Sequence, residues 1–65
     1  MDKELLIEFI RKAKGGKRLG KNINEALESA GLKDTWKSMN LKVVAGRLVE
    51  HFNIESTGIR KLFND

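Results

Sequence analysis

The amino-acid sequence predicts an all-α fold, a small bundle of four to five short helices formed by a single domain of residues 1–65. Apolar residues recur three, four and seven positions apart along most of the chain, which is the spacing of one face of a helix. Residues that start and stop helices lie between these stretches. No segment alternates apolar and polar residues as a half-buried strand does, and no hairpin turn sequence is present.

The first helix is predicted over residues 2–14. Its charges run from acidic at the start to basic at the end, as the helix dipole favours. Gly15 and Gly16 stop this helix and begin a flexible basic loop. The inward face at the helical period is formed by Leu5, Leu6, Phe9, Ile10 and Ala13.

The second helix is predicted to begin at Asn22, because Asn22 and Glu25 have the spacing of a capping box. Its inward face contains apolar residues at helical spacing, and Gly31 supplies the stop. Residues 34–39 are predicted to form one helical turn that holds Trp36 against the core. These two elements complete the middle of the bundle.

The third main helix is predicted to begin after Asn40 and to run to Phe52. Asn53 can take the left-handed backbone that ends a helix, and Ile54 is an apolar residue in the following turn. Ser56 is then expected to cap one further helix. The residues that these two helices turn inward are Leu41, Val44, Ala45, Leu48 and Phe52 in the first, and Ile59, Leu62 and Phe63 in the second.

Residues 47–63, two short helices joined by a tight turn, resemble the helix-turn-helix of bacterial and phage DNA-binding regulators. The resemblance implies a C-terminal helix-turn-helix whose second helix enters the major groove of double-stranded DNA. It also implies a transcriptional, phage or plasmid regulator that acts as a homodimer without a cofactor. An ordinary helical hairpin that buries a core would show much the same apolar pattern.

The resemblance places a set of polar side chains on the outer face of the second helix. Arg60 can pair bidentately with guanine, and Asn64 can pair in the same way with adenine. On the preceding helix, Lys42 and Arg47 are expected to contact phosphates. The candidate base-reading residues are Ser56, Thr57, Arg60, Lys61 and Asn64.

The net charge of +4 is concentrated in residues 11–21, which hold six basic and no acidic residues, while the rest of the chain is slightly acidic. A local concentration of charge indicates an anionic partner more strongly than a diffuse excess does. The alternative is a solvated, mobile loop that keeps the protein soluble. The candidate phosphate-binding residues in this part of the chain are Lys14, Lys17, Arg18 and Lys21.

The glycines of the basic loop match the beginning of the phosphate-binding loop G-x-x-x-x-G-K-[ST], with Gly15, Gly20 and Lys21 at the matching positions. Asn22 stands where that motif needs a hydroxyl, a helix precedes the loop where a strand is needed, and the chain is too short for the parallel sheet. We therefore exclude a nucleotide site. Glycine backbone N–H groups and lysines still suit the phosphates of a nucleic acid.

Residues suited to enzyme chemistry are few. The sequence contains one histidine, His51, and no cysteine or tyrosine, so a catalytic triad has only one possible base. Glu4 with Glu8 and Glu25 with Glu28 share helix faces, but such pairs are usually solvated and no third metal ligand lies nearby. We expect a protein that is not an enzyme, with no catalytic residue, no metal site and no cofactor.

Composition also bounds the compartment and the partners. The absence of cysteine is typical of a reducing compartment. No apolar run approaches the roughly 20 residues of a membrane span, and the acidic start MDKELL is unlike a secretory signal. We expect a soluble, cytoplasmic protein with no membrane partner. A chain this short buries only about 60% of its unfolded surface, which favours tight packing or a homodimer.

A second hypothesis belongs to a different class of function. The protein would be a small regulator that binds an acidic surface of another protein through the same basic loop. Both hypotheses predict binding that weakens with salt. They differ at Arg60, which only the DNA hypothesis needs. Trp36 is expected to belong to the core, with stacking on a base as its alternative role.

Overall fold

The computed structural model describes residues 1–64, and within that range every regular element is helical. The all-α prediction is therefore confirmed for this part of the chain. Four α-helices and one short 3₁₀ helix follow in the order α1 (Lys3–Lys14), α2 (Lys21–Ser29), the 3₁₀ helix (Trp36–Ser38), α3 (Leu41–Phe52) and α4 (Lys61–Asn64).

The hydrophobic core lies between α1, α2 and α3, and the segments that connect the helices contribute to it. On α1 the side chains of Leu6, Phe9 and Ile10 are fully buried, as the helical spacing predicts. The half-buried ring of Trp36 packs edge-on against Phe9, with ring centroids 5.3 Å apart. The other buried apolar residues are Leu19, Ile23, Ala26, Leu27, Leu32, Val44, Ala45, Leu48, Ile54 and Ile59.

The start of α1 and both ends of α3 were predicted correctly or to within one residue. The carboxylate of Asp2 accepts a hydrogen bond from the backbone N–H of Leu5 at 2.9 Å, which caps α1. The side-chain oxygen of Asn40 accepts from the N–H of Lys42 at 2.9 Å and caps α3. Asn53 ends α3 in the left-handed conformation, with φ 52°. The predicted turn that follows α3 is therefore present. Residues 54–64, which come after this turn, are called the closing segment.

The predicted cap of α2 at Asn22 is wrong. The helix begins at Lys21, and the residue before it is Gly20, whose φ of 89° favours glycine. Asn22 already lies in the first turn, so its side chain does not occupy the cap position. Because Gly20 has no side chain, the first turn of α2 receives no side-chain cap.

The prediction that the last helix begins directly after Ser56 is also wrong. The carbonyl of Ser56 accepts from the N–H of Ile59 at 3.1 Å, a bond between residues three apart, and residues 57–60 form successive turns. Gly58 has φ 83°, which interrupts a right-handed helix, so α4 begins only at Lys61 and contains four residues. A C-terminal helix-turn-helix is therefore not confirmed.

Two glycine substitutions test this difference between α3 and the closing segment. Gly46 lies within α3, and a Cβ atom there would meet nothing within 4 Å. Gly46→Ala is therefore expected to raise the free energy of unfolding by about 0.5–1 kcal/mol. Gly58→Ala is expected to lower it by about 1 kcal/mol, because alanine is strained at positive φ. Urea unfolding followed by circular dichroism measures both, and shifts of the same sign would contradict the structure.

Candidate nucleic-acid interface

Five basic side chains line a groove with a volume of about 930 Å³, which we call the basic groove. One wall is formed by the loop between α1 and α2, and the other by residues 33–37. Asp34 is the one carboxylate among the described residues that line it. The basic residues of the groove are Lys17, Arg18, Lys21, Lys33 and Lys37.

The loop wall is held in place by a buried leucine and by backbone hydrogen bonds. The N–H of Lys17 donates to the carbonyl of Lys12 at 2.9 Å, which ties the loop to the end of α1. Leu19 is buried in the core with 9% of its surface exposed. Gly20 then turns the chain into α2. The cations on either side of Leu19 therefore stand on an anchored segment, and their side chains remain exposed.

The opposite wall brings two lysines that the sequence analysis did not include. Leu32 is buried, and its carbonyl accepts from the N–H of Trp36 at 2.9 Å, which folds residues 33–36 back over the core. Lys33 and Lys37 are thereby placed across from the loop. The Nζ of Lys37 lies 6.0 Å from the centroid of the Trp36 ring. The spacing of four between the two lysines, with the tryptophan between them, is the signal that could have identified this wall.

The groove keeps a positive charge because its cations are weakly paired. Lys21 lies 3.9 Å from Glu25, and Lys33 lies 3.7 Å from Glu28, in pairs that are more than half exposed and therefore contribute little. In residues 1–64, the other three cations of the groove have no carboxylate within 4.0 Å. The start of α2 has no side-chain cap, and Gly20, Lys21 and Asn24 from this end of the helix also line the groove.

The remaining phosphate-binding candidates lie outside the basic groove. The Nζ of Lys14 donates to the carbonyl of Leu62, so this side chain links the end of α1 to α4. Lys42 and Arg47 are exposed on α3, and Lys42 lines a different groove together with Arg60. The structure thus brings three of the six predicted phosphate-binding residues together and leaves the other three apart.

The five candidate base-reading residues are all exposed, as predicted. These residues lie on successive turns and on the short α4, and not on a single regular helix. Ser56 and Arg60 line the same groove as Lys42, on the side of the closing segment. Thr57 donates its backbone N–H to the carboxylate of Glu55 at 2.6 Å.

Glu55 organises the turn that carries these candidates. Its second carboxylate oxygen accepts from the Nζ of Lys3 at 2.7 Å, which ties the turn to the start of α1. The hydrogen bond from Lys3, followed by those from Thr57, lowers the pKa of Glu55 from its ordinary value of 4.5 to about 2. A fixed negative charge therefore stands beside the candidate base-reading residues at neutral pH.

In residues 1–64 no three histidine or acidic side chains converge as metal ligands would. His51 is exposed at the end of α3 and its ring lies edge-on to Phe52, with centroids 4.7 Å apart. None of the described helices has both the length and the hydropathy needed to span a bilayer.

The chain was compared with known proteins at three levels. It matches no protein-family model, no curated protein and no solved structure. The chain's own charge distribution and geometry are therefore the guide to its function. The basic groove is where positive charge is most concentrated on a concave surface.

Replacing Glu55 with glutamine tests the link between α1 and the turn. Because the folded pKa is lowered, the carboxylate stabilises the fold fully above about pH 4.5, and this stabilisation is lost as the pH falls through about 2. We expect Glu55→Gln to lower Tm by a constant amount above pH 4.5 and by progressively less between pH 4.5 and 2. Glu50→Gln is the control, because Glu50 has no cation within 4.0 Å among the described residues. A Tm difference that does not change with pH would contradict this account.

Proposed function

We propose that this protein is a small non-enzymatic regulator that binds double-stranded DNA and holds phosphates of the backbone in the basic groove. The observation that carries the proposal is that five cations from two separate segments converge on one concave surface, which has a single carboxylate among its described lining residues. Clefts lined by charge of one sign focus the electrostatic field and attract a counter-ion of the opposite sign. A polyphosphate backbone is the anion whose repeated charges fit several cations at once.

The backbone of the groove supports the same partner. Gly20 leaves the first N–H groups of α2 without a side-chain cap, and phosphates are commonly bound by such groups. The described Cα atoms extend 25 × 25 × 19 Å, which is less than one turn of B-DNA at about 34 Å. The molecule is thus small enough to sit on one face of the duplex within a single turn.

The proposal also includes base contacts from the closing segment, like those made by the second helix of a helix-turn-helix. It is supported by the left-handed turn at Asn53 and by the exposure of Arg60, Lys61 and Asn64. The bond from Lys14 to Leu62 places this segment beside the start of the basic loop. Because four helical residues read very little sequence, specific binding would require a homodimer on two half-sites.

The second candidate function is binding to an acidic surface of another protein through the same groove. Its support is that the groove cations are exposed side chains, which accept carboxylates as readily as phosphates. The two candidates differ in what they require beyond the groove. The proposed DNA binding uses the closing segment, whereas a protein contact made through the basic groove does not.

The salt dependence of DNA binding tests the role of the groove. If about four groove cations contact phosphates, affinity for a random duplex is expected to fall roughly a hundredfold between 50 and 200 mM salt. Lys37→Gln removes one contact from the wall that only the folded structure identifies. It is expected to lower the slope of log affinity against log salt by about 0.9. Fluorescence anisotropy with a labelled duplex measures both quantities.

Arg11→Gln is the matched control for Lys37→Gln, because it removes one exposed basic charge that does not line the groove. We expect it to change the slope much less. Equal slopes for the two variants would show that net charge, and not the groove, determines binding.

Arg60→Ala separates DNA from an acidic protein surface as the partner. We expect it to weaken duplex binding by about tenfold, since a bidentate base contact contributes about 1–3 kcal/mol. Binding to polyglutamate through the basic groove should remain within about twofold, because Arg60 lies outside that groove. If Arg60→Ala leaves duplex binding unchanged, or if polyglutamate binds more tightly than duplex at both salt concentrations, the base-reading proposal is wrong.

A further inference from the structure

A second groove of about 390 Å³ runs between α3 and the segment that follows Asn53, and we call it the apolar groove. It differs from the basic groove in what lines it. Most of its lining residues are apolar or glycine, and no acidic residue of the described chain is among them. The lining residues are Lys42, Ala45, Gly46, Val49, Ser56, Ile59, Arg60 and Phe63.

The floor of the apolar groove is connected to the hydrophobic core. Ala45 and Ile59 are buried, and Val49 and Phe63 are half-buried and pack against the core. Gly46 leaves a gap in this floor, because a Cβ atom built there would meet nothing within 4 Å. The groove therefore has room beside α3 for an apolar side chain from a second molecule.

The rim of the apolar groove is positively charged. Lys42 stands on the α3 side, and Arg60 stands on the side of the closing segment. Within residues 1–64, neither side chain has a carboxylate within 4.0 Å. Two exposed cations beside an apolar floor select a partner that is apolar on one face and acidic at its edges.

The form of the partner follows from the available backbone groups. Residues 1–64 contain no sheet edge with which an extended peptide could pair. A helical segment satisfies its own backbone hydrogen bonds and needs only side-chain contacts from the groove. We propose that the apolar groove binds an acidic amphipathic helix of a partner protein, with an apolar side chain over Gly46 and carboxylates beside Lys42 and Arg60.

This inference does not rest on the DNA proposal, because the apolar groove and the basic groove share no residue. Ser56 and Arg60 of the apolar groove are, however, also candidate base-reading residues. A helix in the apolar groove covers both. Partner binding and base contacts by this segment therefore exclude each other, which is a way for a partner to weaken DNA binding.

The test uses a synthetic helical peptide of about 14 residues, four turns, with leucines on one face and glutamates flanking them. We expect saturable binding, with amide shift changes in a ¹⁵N spectrum centred on Gly46, Ile59 and Arg60. A peptide of the same composition in scrambled order, and one with lysine in place of glutamate, should each bind at least about tenfold more weakly.

Two variants of the protein locate the site. Gly46→Leu fills the gap in the floor and is expected to weaken peptide binding at least about tenfold, whereas Gly46→Ala should have a smaller effect. Gly46 does not line the basic groove, so duplex binding that depends on Lys17 and Lys37 should persist. If Gly46→Leu does not fold, Lys42→Gln combined with Arg60→Gln at two exposed positions replaces it in the peptide measurement alone, with the same expected loss of peptide binding. The duplex measurement is not made with this variant, because both residues are also candidates for DNA contacts.

Three results would overturn the inference. Equal affinities of the scrambled and the amphipathic peptide would mean that charge alone is recognised. Shift changes confined to the basic groove would place the peptide on the other surface. Shift changes at Gly46 and Ile59 produced by duplex DNA, with none produced by the peptide, would assign the apolar groove to nucleic acid.

Discussion

The burial of two leucines from connecting segments is the packing interaction on which the basic groove depends. A chain of 65 residues without cysteine has little interior, so the segments between its helices must add to the core. Leu19 and Leu32 do this, with 9% and 4% of their surface exposed. Each draws its segment onto the helices, and the charged neighbours of each leucine are left at the surface facing a common concavity. The positive surface is thus a consequence of apolar packing.

The helices could be predicted where a single side chain determines the helix end. Asn40 and Asn53 act locally, through a cap hydrogen bond and a left-handed backbone, and both were identified from the sequence. The errors occurred where a glycine sets the backbone. Gly20 takes the cap position that was assigned to Asn22, and Gly58 at positive φ interrupts the helix expected after Ser56. Glycine permits both signs of φ, so its conformation depends on tertiary packing.

The candidate site could be predicted in part. Lys17, Arg18 and Lys21 are adjacent in sequence, and counting charge along the chain is sufficient to find them. Lys33 and Lys37 belong to residues 22–40, whose net charge is slightly negative, so counting charge by segment does not identify them. Only the folding of residues 32–36 onto the core places these lysines across from the loop, and Lys33 still lies 3.7 Å from Glu28 of α2. Charge counted by segment therefore finds the half of the groove that is local in sequence.

The two grooves are proposed to bind their partners by different physical means. The basic groove presents several exposed cations, so binding there is governed by long-range attraction and counter-ion release, and it weakens steeply with salt. The apolar groove presents a floor continuous with the core and only two cations, so most of its binding energy must come from burial of apolar surface. Burial responds little to salt. Because Arg60 belongs to the rim of the apolar groove and is also the leading base-reading candidate, occupation of the apolar groove would block that proposed base contact and leave the phosphate contacts proposed for the basic groove in place.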